Sequence, residues 1–212
     1  MKLLSIILIS FSMMSCAQSD MSNSEHDSNS SEMNQSLDSL QTAYFASGCF
    51  WCVEAVFESV KGVQEAVSGY SGGASKNPTY KEICTGKSGH AEAVKVYYDS
   101  SVVSYETLVE VFFNSHDPST LNRQGPDSGT QYRSEIFYET DAEREISNKA
   151  IQALRASGTK VTTAVSPLDV FWDAEDYHQD YERLNPNQSY IRAVSIPRLN
   201  AFKAKMPEVL KN

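Results

Sequence analysis

Two cysteines with two aromatic residues between them, Cys49-Phe50-Trp51-Cys52, stand where a strand-like segment gives way to a helix-like one. Residues 41–47 alternate loosely in the manner of a strand, and residues 49–60 carry apolar side chains at helical spacing. If the helix begins here, the α-carbons of the two cysteines lie roughly 5 Å apart, a separation that a disulfide bond can span. The segment therefore predicts a redox-active pair at a helix start.

The first cysteine of this pair is the better nucleophile candidate. A helix start presents unsatisfied N–H groups and the positive end of the helix dipole, which favour a thiolate over a thiol, so we predict a thiolate at Cys49. Phe50 and Trp51 could pack in the core or line a substrate pocket, and their place beside the nucleophile favours the pocket. A structural bridge is disfavoured, because a Cys-x-x-Cys pair closes too small a loop to constrain the unfolded chain.

A glutamate lies within the most regular strand pattern of the chain. Residues 91–98 alternate, which places Glu92 on the same face as Val94 and Val96. If that face is buried, desolvation raises the pKa of the carboxyl group and makes Glu92 a general acid near neutral pH. If Glu92 lies at the solvated end of the strand it has no such role, and alternation alone leaves both interpretations open.

The order of predicted elements indicates an α+β fold with a central sheet flanked by helices. We place this domain at residues 41–212, with a long polar loop at 116–132 that is predicted to be functional. The tail from Phe171 is expected to form a short helix and then an irregular wrap, and Cys84 to be a small buried side chain. The other expected elements are strands at 63–70, 133–139 and 161–165, a helix at 104–114 with Ser104 as N-cap, and a helix opened by a Thr140–Glu143 capping box.

The N-terminal residues predict export. Residues 1–15 carry one positive charge and an apolar run too short to span a membrane, as in a secretory signal peptide. The run ends at Ser15-Cys16-Ala17, which resembles the lipobox of bacterial lipoproteins and predicts lipidation of Cys16. Residues 16–40 are rich in serine and acidic side chains, so we predict a disordered linker. We expect a membrane-anchored lipoprotein on the periplasmic or cell-surface side; plain export and an uncleaved anchor are the alternatives.

Charge and histidine content limit the other classes of function. The formal net charge of −9 argues against nucleic acid as a partner. Zinc would need two ligands besides the cysteine pair, and only His90 and His116 lie near segments that could form a pocket, so we expect neither a metal nor another cofactor. Two alternatives stay open: a thioredoxin-type thiol-disulfide oxidoreductase, which leaves Glu92 without a role, and a surface lipoprotein with structural cysteines.

Six motifs follow one another along the chain: Gly48-Cys49-Phe50-Trp51, Gly69-Tyr70-Ser71-Gly72-Gly73, Asn77-Pro78-Thr79-Tyr80, Gly89-His90-Ala91-Glu92-Ala93-Val94, Gly129-Thr130-Gln131-Tyr132-Arg133-Ser134 and Ala174-Glu175-Asp176-Tyr177-His178-Gln179. Together they resemble the peptide methionine sulfoxide reductase A family, from about Tyr44 to Asn187. The resemblance implies a two-layer α/β sandwich with a ferredoxin-like core.

The resemblance also implies a mechanism. Cys49 attacks the sulfur of methionine sulfoxide and becomes a sulfenic acid, while Glu92 protonates the departing oxygen. Hydroxyl groups of Tyr80 and Tyr132 assist the acid. The substrate is the S epimer, in oxidised proteins or peptides or as free methionine sulfoxide. The substrate-binding residues implied are Phe50 and Trp51, around the methyl group, and Asp127, on the polar rim.

The recycling of Cys49 is where this chain departs from many members of the family. Many members carry resolving cysteines near the C-terminus, and this chain has no cysteine after Cys84. Some members have a cysteine at the position of Cys52, so we predict a Cys49–Cys52 disulfide that a thioredoxin-like reductant reduces. The alternative is an external thiol that resolves Cys49 directly. We expect the protein to be a monomer.

Overall fold

The computed structural model describes residues 40–211, which hold eight strands and six α-helices. The strands are β1 (Gln41–Ser47), β2 (Val63–Ser71), β3 (Ala91–Tyr98), β4 (Arg123–Gln124), β5 (Asp127–Ser128), β6 (Ser134–Tyr138), β7 (Ala164–Pro167) and β8 (Phe171–Asp173). The helices are α1 (Phe50–Glu58), α2 (Tyr80–Ile83), α3 (Tyr105–Asn114), α4 (Asp141–Ala156), α5 (Tyr181–Leu184) and α6 (Ile196–Lys205). A π-helical turn lies at Ile191–Ser195, and 3₁₀ turns lie at Thr130–Tyr132, Asp176–His178 and Pro207–Val209.

Four strands carry a ferredoxin-like topology. In chain order β1, α1 and β2 are followed by β3, α3 and, after the small β4–β5 hairpin, β6. These strands lie in the antiparallel order β6-β1-β3-β2, which is the split βαβ arrangement. At one edge β7 pairs with β6 in parallel, and at the other β8 pairs with β2. The predicted α+β fold with a ferredoxin-like core is confirmed.

Alternation along the strands separates two apolar layers. Phe45 of β1 points towards the helices, where its ring stacks on Phe57 of α1 and Phe112 of α3, with centroids 4.8 Å and 5.4 Å apart. Glu92 has the same strand parity as Val94, which belongs to this layer, so its side chain points towards the helices as well. The smaller layer on the opposite face contains Tyr44, Ala46, Ala91, Ala93 and Phe137.

The helix starts follow the predicted caps. Ser104 Oγ accepts a hydrogen bond from the N–H of Thr107 at 3.1 Å, and Thr140 with Glu143 forms a reciprocal capping box at the start of α4. The strand predicted at 161–165 instead occupies Ala164–Pro167, because parallel pairing with β6 sets its register. Local caps are therefore readable from sequence, whereas this strand boundary depends on its partner.

The C-terminal part is more regular than predicted. The expected irregular wrap is wrong for residues 191–205, which form the π-helical turn and α6, and β8 adds an edge strand. β8 can pair with β2 because Gly69 lacks a side chain: a Cβ there would lie 2.4 Å from the carbonyl oxygen of Trp172. This pairing places the motif Ala174–Gln179 directly after the sheet edge.

In the described part of the chain, residues 40–211, we find no helix that is both long and apolar enough to cross a membrane. The predicted signal peptide and the predicted lipidation at Cys16 lie outside the described residues, as does nearly all of the predicted linker.

Candidate active site

Cys49 sits at the junction between β1 and α1 as the N-cap residue of the helix, with φ −54° and ψ 124°. The preceding Gly48 has a φ of +95°, and a Cβ at that position would lie 2.7 Å from Cβ of Gln124. Both the left-handed backbone and the close approach require glycine. The turn leaves Cys49 almost fully buried, with 7% of its surface exposed.

Glu92 is buried against the start of this helix. Its side chain is 1% exposed, and Oε2 accepts a hydrogen bond from the backbone N–H of Phe50 at 3.1 Å. The other carboxyl oxygen, Oε1, is buried without a hydrogen-bond partner among the described residues. Burial raises the pKa of Glu92 to about 8. The interpretation of Glu92 as a solvated strand-end residue is therefore wrong, and the carboxyl group carries a proton at neutral pH.

The pKa values of the two thiols are shifted in opposite directions, and their order is the reverse of the predicted one. Burial, followed by a hydrogen bond with Cys52, raises the pKa of Cys49. The hydrogen bond with Cys49 and the positive charge of Arg198 outweigh burial at Cys52 and lower its pKa to about 6. The two shifts favour a thiolate at Cys52 over one at Cys49, because burial opposes the charge at Cys49 while the neighbouring thiol and Arg198 stabilise it at Cys52. The predicted resting thiolate at Cys49 is thus not what the structure supports.

The aromatic residues between the cysteines occupy different environments. Phe50 is fully buried and packs against His178, with ring centroids 4.9 Å apart. Trp51 is only partly buried; its ring stacks on Tyr181 at 3.8 Å and its Nε1–H donates to Nδ1 of His178 at 3.2 Å. Trp51 is therefore the accessible one of the two aromatic residues, and Phe50 belongs to the core.

His178 is a pocket residue that the sequence reasoning did not assign. Because Nδ1 accepts from Trp51, the neutral ring carries its proton on Nε2, which has no hydrogen-bond partner among the described residues and lies 3.8 Å from Glu175 Oε2. Burial lowers the pKa of His178. Its ring contacts those of Phe50, Trp51 and Tyr80, with centroids 4.9 Å, 5.7 Å and 4.3 Å away, and so holds these three aromatic residues together. The only signal in the sequence is its place in the motif Ala174–Gln179.

The two predicted tyrosine donors flank the acid. Tyr80 and Tyr132 are half-buried, and burial followed by the charge of Glu92 raises the pKa of both phenols. Both hydroxyl groups therefore stay protonated and can donate hydrogen bonds. Tyr80 and Tyr132 therefore lie close enough to Glu92 for its charge to act on both, and Tyr132 also feels Cys49.

Asp127 contacts a second residue that sequence reasoning missed. Its Oδ2 accepts a hydrogen bond from the hydroxyl of Tyr190 at 2.5 Å, and that hydroxyl lies 3.9 Å from Sγ of Cys52. A cavity of about 270 Å³ opens here, lined by Cys52, Asp127, Tyr190 and Arg198 among others. Asp127 therefore faces the Cys52 side of the site through Tyr190, while its charge also reaches Glu92.

The remaining cysteine lies next to Tyr80, and the two histidines named in the sequence analysis have structural partners. Cys84 was predicted to be buried, but it is exposed because α2 ends there at the surface. His90 accepts from the N–H of Gly73 and holds the loop after β2, and His116 is buried between Phe112 and Ser134. The histidine that contacts Phe50, Trp51 and Tyr80 is His178 instead.

A group of three carboxylates lies further along α1, and it is the one such group in the described part of the chain that could hold a metal ion. Oxygens of Glu54, Glu58 and Asp180 lie within 4.8 Å of one another. Glu54 is 2% exposed, accepts from the Ser68 hydroxyl and from the backbone N–H of Asp180, and burial raises its pKa to about 8. These bonds tie the segment after His178 to α1.

Comparison with known proteins agrees with this arrangement. A family model described as "Peptide methionine sulfoxide reductase" matches residues 41–210. The peptide methionine sulfoxide reductase MsrA of Pasteurella multocida is 51% identical over 172 residues, which cover 81% of this chain and 99% of that protein. MsrA 1 of Rhodopirellula baltica is 48% identical over 172 residues, which cover 81% of this chain and 90% of that protein.

Solved structures give the same result. Mxr1 from Saccharomyces cerevisiae in reduced form has a TM-score of 0.66 at 34% identity and covers 70% of this chain and 87% of its own. Methionine sulfoxide reductase A of Corynebacterium diphtheriae has a TM-score of 0.64 at 38% identity, covering 70% and 76%. With the family model matched from the first strand to the C-terminal residues, this chain belongs to the peptide methionine sulfoxide reductase family.

Proposed function

We propose that this protein reduces the S epimer of methionine sulfoxide, free or within proteins, by oxygen transfer to Cys49 and recycling through a Cys49–Cys52 disulfide. Reduction of methionine sulfoxide is the activity of the family to which the chain belongs. The assignment of residues rests on Glu92, which is buried and protonated. Its Oε1 has no partner in the described residues, and its Oε2 is held at the helix start that carries Cys49.

The first step requires a sulfur nucleophile and a proton donor. The proton of Cys49 passes to the Cys52 thiolate, and Cys49 Sγ attacks the sulfoxide sulfur. Glu92 gives its proton to the sulfoxide oxygen, which Tyr80 and Tyr132 hold by hydrogen bonds. The oxygen is transferred to Cys49 as its bond to the substrate breaks. Methionine leaves reduced by two electrons, and Cys49 is oxidised to a sulfenic acid.

The apolar wall explains how the substrate is oriented. Trp51, two positions after Cys49, is partly exposed, and its ring is fixed by stacking on Tyr181 and by its hydrogen bond to His178. An apolar surface binds the methyl group of the substrate and leaves the polar sulfoxide oxygen to the acid. Asp127 supplies the polar rim.

The second step restores Cys49. Cys52 Sγ attacks the sulfenic sulfur, an S–S bond forms, the S–O bond breaks, and the oxygen leaves as water with the proton of the Cys52 thiol. A thioredoxin-like dithiol then reduces the disulfide and is itself oxidised to a disulfide. Direct interaction of the two thiols supports this route.

Changing Cys52 to serine separates the two steps. The variant is expected to release one equivalent of methionine per chain from an S-sulfoxide peptide, more slowly than the wild type because no Cys52 thiolate takes the proton of Cys49. It is then expected to stop, because thioredoxin has no disulfide to reduce. Mass spectrometry after one substrate equivalent without reductant is expected to show a Cys49–Cys52 disulfide in the wild type and a sulfenic acid on Cys49 in the variant.

The matched control is Cys84→Ser, which removes the exposed thiol and is expected to turn over like the wild type with thioredoxin. If the wild type itself accumulates sulfenic acid and no internal disulfide, an external thiol resolves Cys49 and the role of Cys52 is wrong. A wild type that acts on the R epimer alone would contradict the proposed substrate.

We also propose that the protein works as an exported, membrane-anchored monomer on the periplasmic or cell-surface side, with residues 1–15 as signal peptide and Cys16 as lipidated N-terminus. The family match begins at residue 41, so residues 1–40 precede the catalytic domain. Their composition supports a leader and a linker rather than part of the enzyme.

The mass of the mature N-terminus tests this proposal. Protein purified from the membrane fraction of the native cell is expected to begin at Cys16 and to carry the added mass of acyl chains, since two or more chains are needed for stable anchoring. Changing Cys16 to serine is expected to release the protein from the membrane. A mature chain that keeps residues 1–15, or begins at another residue without acylation, would contradict the proposal.

A further inference from the structure

Cys52 faces a group of side chains from the C-terminal part of the chain that the proposed mechanism does not use. The π-helical turn Ile191–Ser195 and the helix α6 after it bring Tyr190 and Arg198 to Cys52, and these residues line one cavity of about 270 Å³ with it. A π-helical turn is a rare distortion that recurs at functional sites.

Tyr190 is fixed as a hydrogen-bond donor beside the sulfur. Its hydroxyl lies 3.9 Å from Cys52 Sγ and is held by Asp127 Oδ2 at 2.5 Å, while the ring meets Trp51 edge-on with centroids 6.1 Å apart. Burial raises the pKa of Tyr190, so the hydroxyl keeps its proton. A fixed O–H next to a sulfur stabilises the thiolate over the thiol.

Arg198 is held in place from two other elements. Its Nε–H donates to the carbonyl oxygen of Ser115 at the end of α3 at 2.7 Å, and Nη2 donates to Ser47 Oγ at the end of β1 at 3.1 Å. Nη1 lies 3.5 Å from the position a Cβ would take on Gly48, immediately before Cys49. The guanidinium group thus lies at the junction between β1 and α1, where the two cysteines are, and its charge lowers the pKa of Cys52.

We propose that Arg198 and Tyr190 form a thiolate-stabilising site that activates Cys52 as the resolving nucleophile. This inference rests on the proposed Cys49–Cys52 disulfide. In the resolving step the Cys52 thiolate forms the S–S bond to Cys49, the S–O bond of the sulfenic acid breaks, and the oxygen leaves as water with the proton that Cys52 gave up. When thioredoxin restores the pair, the same groups stabilise Cys52 as it becomes a thiolate again. Arg198 acts on the nucleophile and is a positioning residue.

Groups of both charge signs lie around Cys52, so the effect of Arg198 on its thiolate adds to the opposing effects of acidic neighbours. The thiolate faces the cation of Arg198 and several groups that are acidic or that titrate. Those that face it from the packed elements are Cys49 before α1, Glu92 on β3, Asp127 on β5 through Tyr190, and Glu182 on α5 through Ser195.

The test follows the resolving step in a single turnover across pH. Wild type, Arg198→Met and Arg198→Lys are mixed with one equivalent of S-sulfoxide peptide without reductant. Free methionine, sulfenic acid trapped by dimedone, and internal disulfide are quantified over time between pH 5 and 9. In Arg198→Met the ratio of the disulfide-forming rate to the methionine-forming rate is expected to fall about tenfold at pH 5 and about twofold at pH 7, as for a thiol whose pKa rises by about one unit from about 6. The pH at which this ratio is half-maximal is expected to move upward. Arg198→Lys is expected to recover most of the ratio and most of the midpoint.

The outcomes separate the resolving role of Cys52 from the role of Arg198. A wild type that releases methionine but forms no disulfide contradicts the resolving role of Cys52, before Arg198 is tested. A wild type that resolves normally, with an unchanged midpoint in Arg198→Met, overturns the inference alone. If Arg198→Met does not fold, as circular dichroism would show, Tyr190→Phe replaces it, since it removes one hydroxyl and keeps the ring. The same upward shift is expected there, and its absence overturns the inference.

Discussion

Replacing Cys49 with serine is expected to abolish methionine formation, with a loss on the order of 10⁴-fold or more in kcat/KM. The change removes the only atom that can attack the sulfoxide sulfur and carry the oxygen away. A hydroxyl group in the same place has too high a pKa to be a nucleophile, and burial at the start of α1 raises it further. Neither Cys52 nor the exposed Cys84 can substitute, because Glu92 is directed at the helix start of Cys49.

This substitution tests chemistry rather than folding. Cys49 is the N-cap residue of α1, and serine is among the preferred residues at that position, so the free energy of unfolding is expected to hold or rise slightly. The measurement is release of methionine from an S-sulfoxide peptide, with thermal unfolding recorded in parallel. Activity above a few per cent of wild type in Cys49→Ser would show that another group attacks the substrate.

Changing Glu92 to glutamine is the second large effect, with kcat expected to fall about 10²- to 10⁴-fold at neutral pH. The amide keeps the shape and can still accept the Phe50 N–H bond, but it has no proton of suitable acidity for the sulfoxide oxygen. The wild-type acid must be protonated to act, and its pKa is about 8. Wild-type activity is therefore expected to be lost as pH rises through about 8, and this alkaline limb should be absent from the residual activity of the variant.

The raised pKa also predicts the direction of the stability change. The pKa of Glu92 rises from 4.5 to about 8 on folding, so the folded state binds the proton more tightly. The stability that this provides is complete below about pH 4.5 and is lost as pH rises through about 8. Glu92→Gln is therefore expected to lose activity while unfolding less readily than wild type at pH 9.

Glu54→Gln is the matched control for this experiment. Glu54 is also buried and also has a pKa of about 8, but it bonds to Ser68 and Asp180 rather than to the helix start. Its variant is expected to keep most of the activity and the alkaline limb near pH 8. If the limb disappears in Glu54→Gln and persists in Glu92→Gln, the acid has been assigned to the wrong glutamate.

The sequence alone determined features that depend on neighbouring residues. The spacing of Cys49 and Cys52, the caps at Ser104 and Thr140, and the alternation of β3 all follow from backbone geometry over a few positions, and the structure has each of them. The element order then led to the correct fold class, because a strand and helix order of this kind allows few sheet topologies. The motifs led to the family.

The tertiary structure alone decided the properties that make the site work. Glu92 meets Phe50 across 42 positions of sequence, Trp51 meets His178 across 127, and Cys52 meets Tyr190 across 138. Burial and charge at such contacts raise the pKa of Glu92 and lower that of Cys52. Local patterns carry no information about them, because desolvation depends on everything packed around a group rather than on its neighbours in the chain.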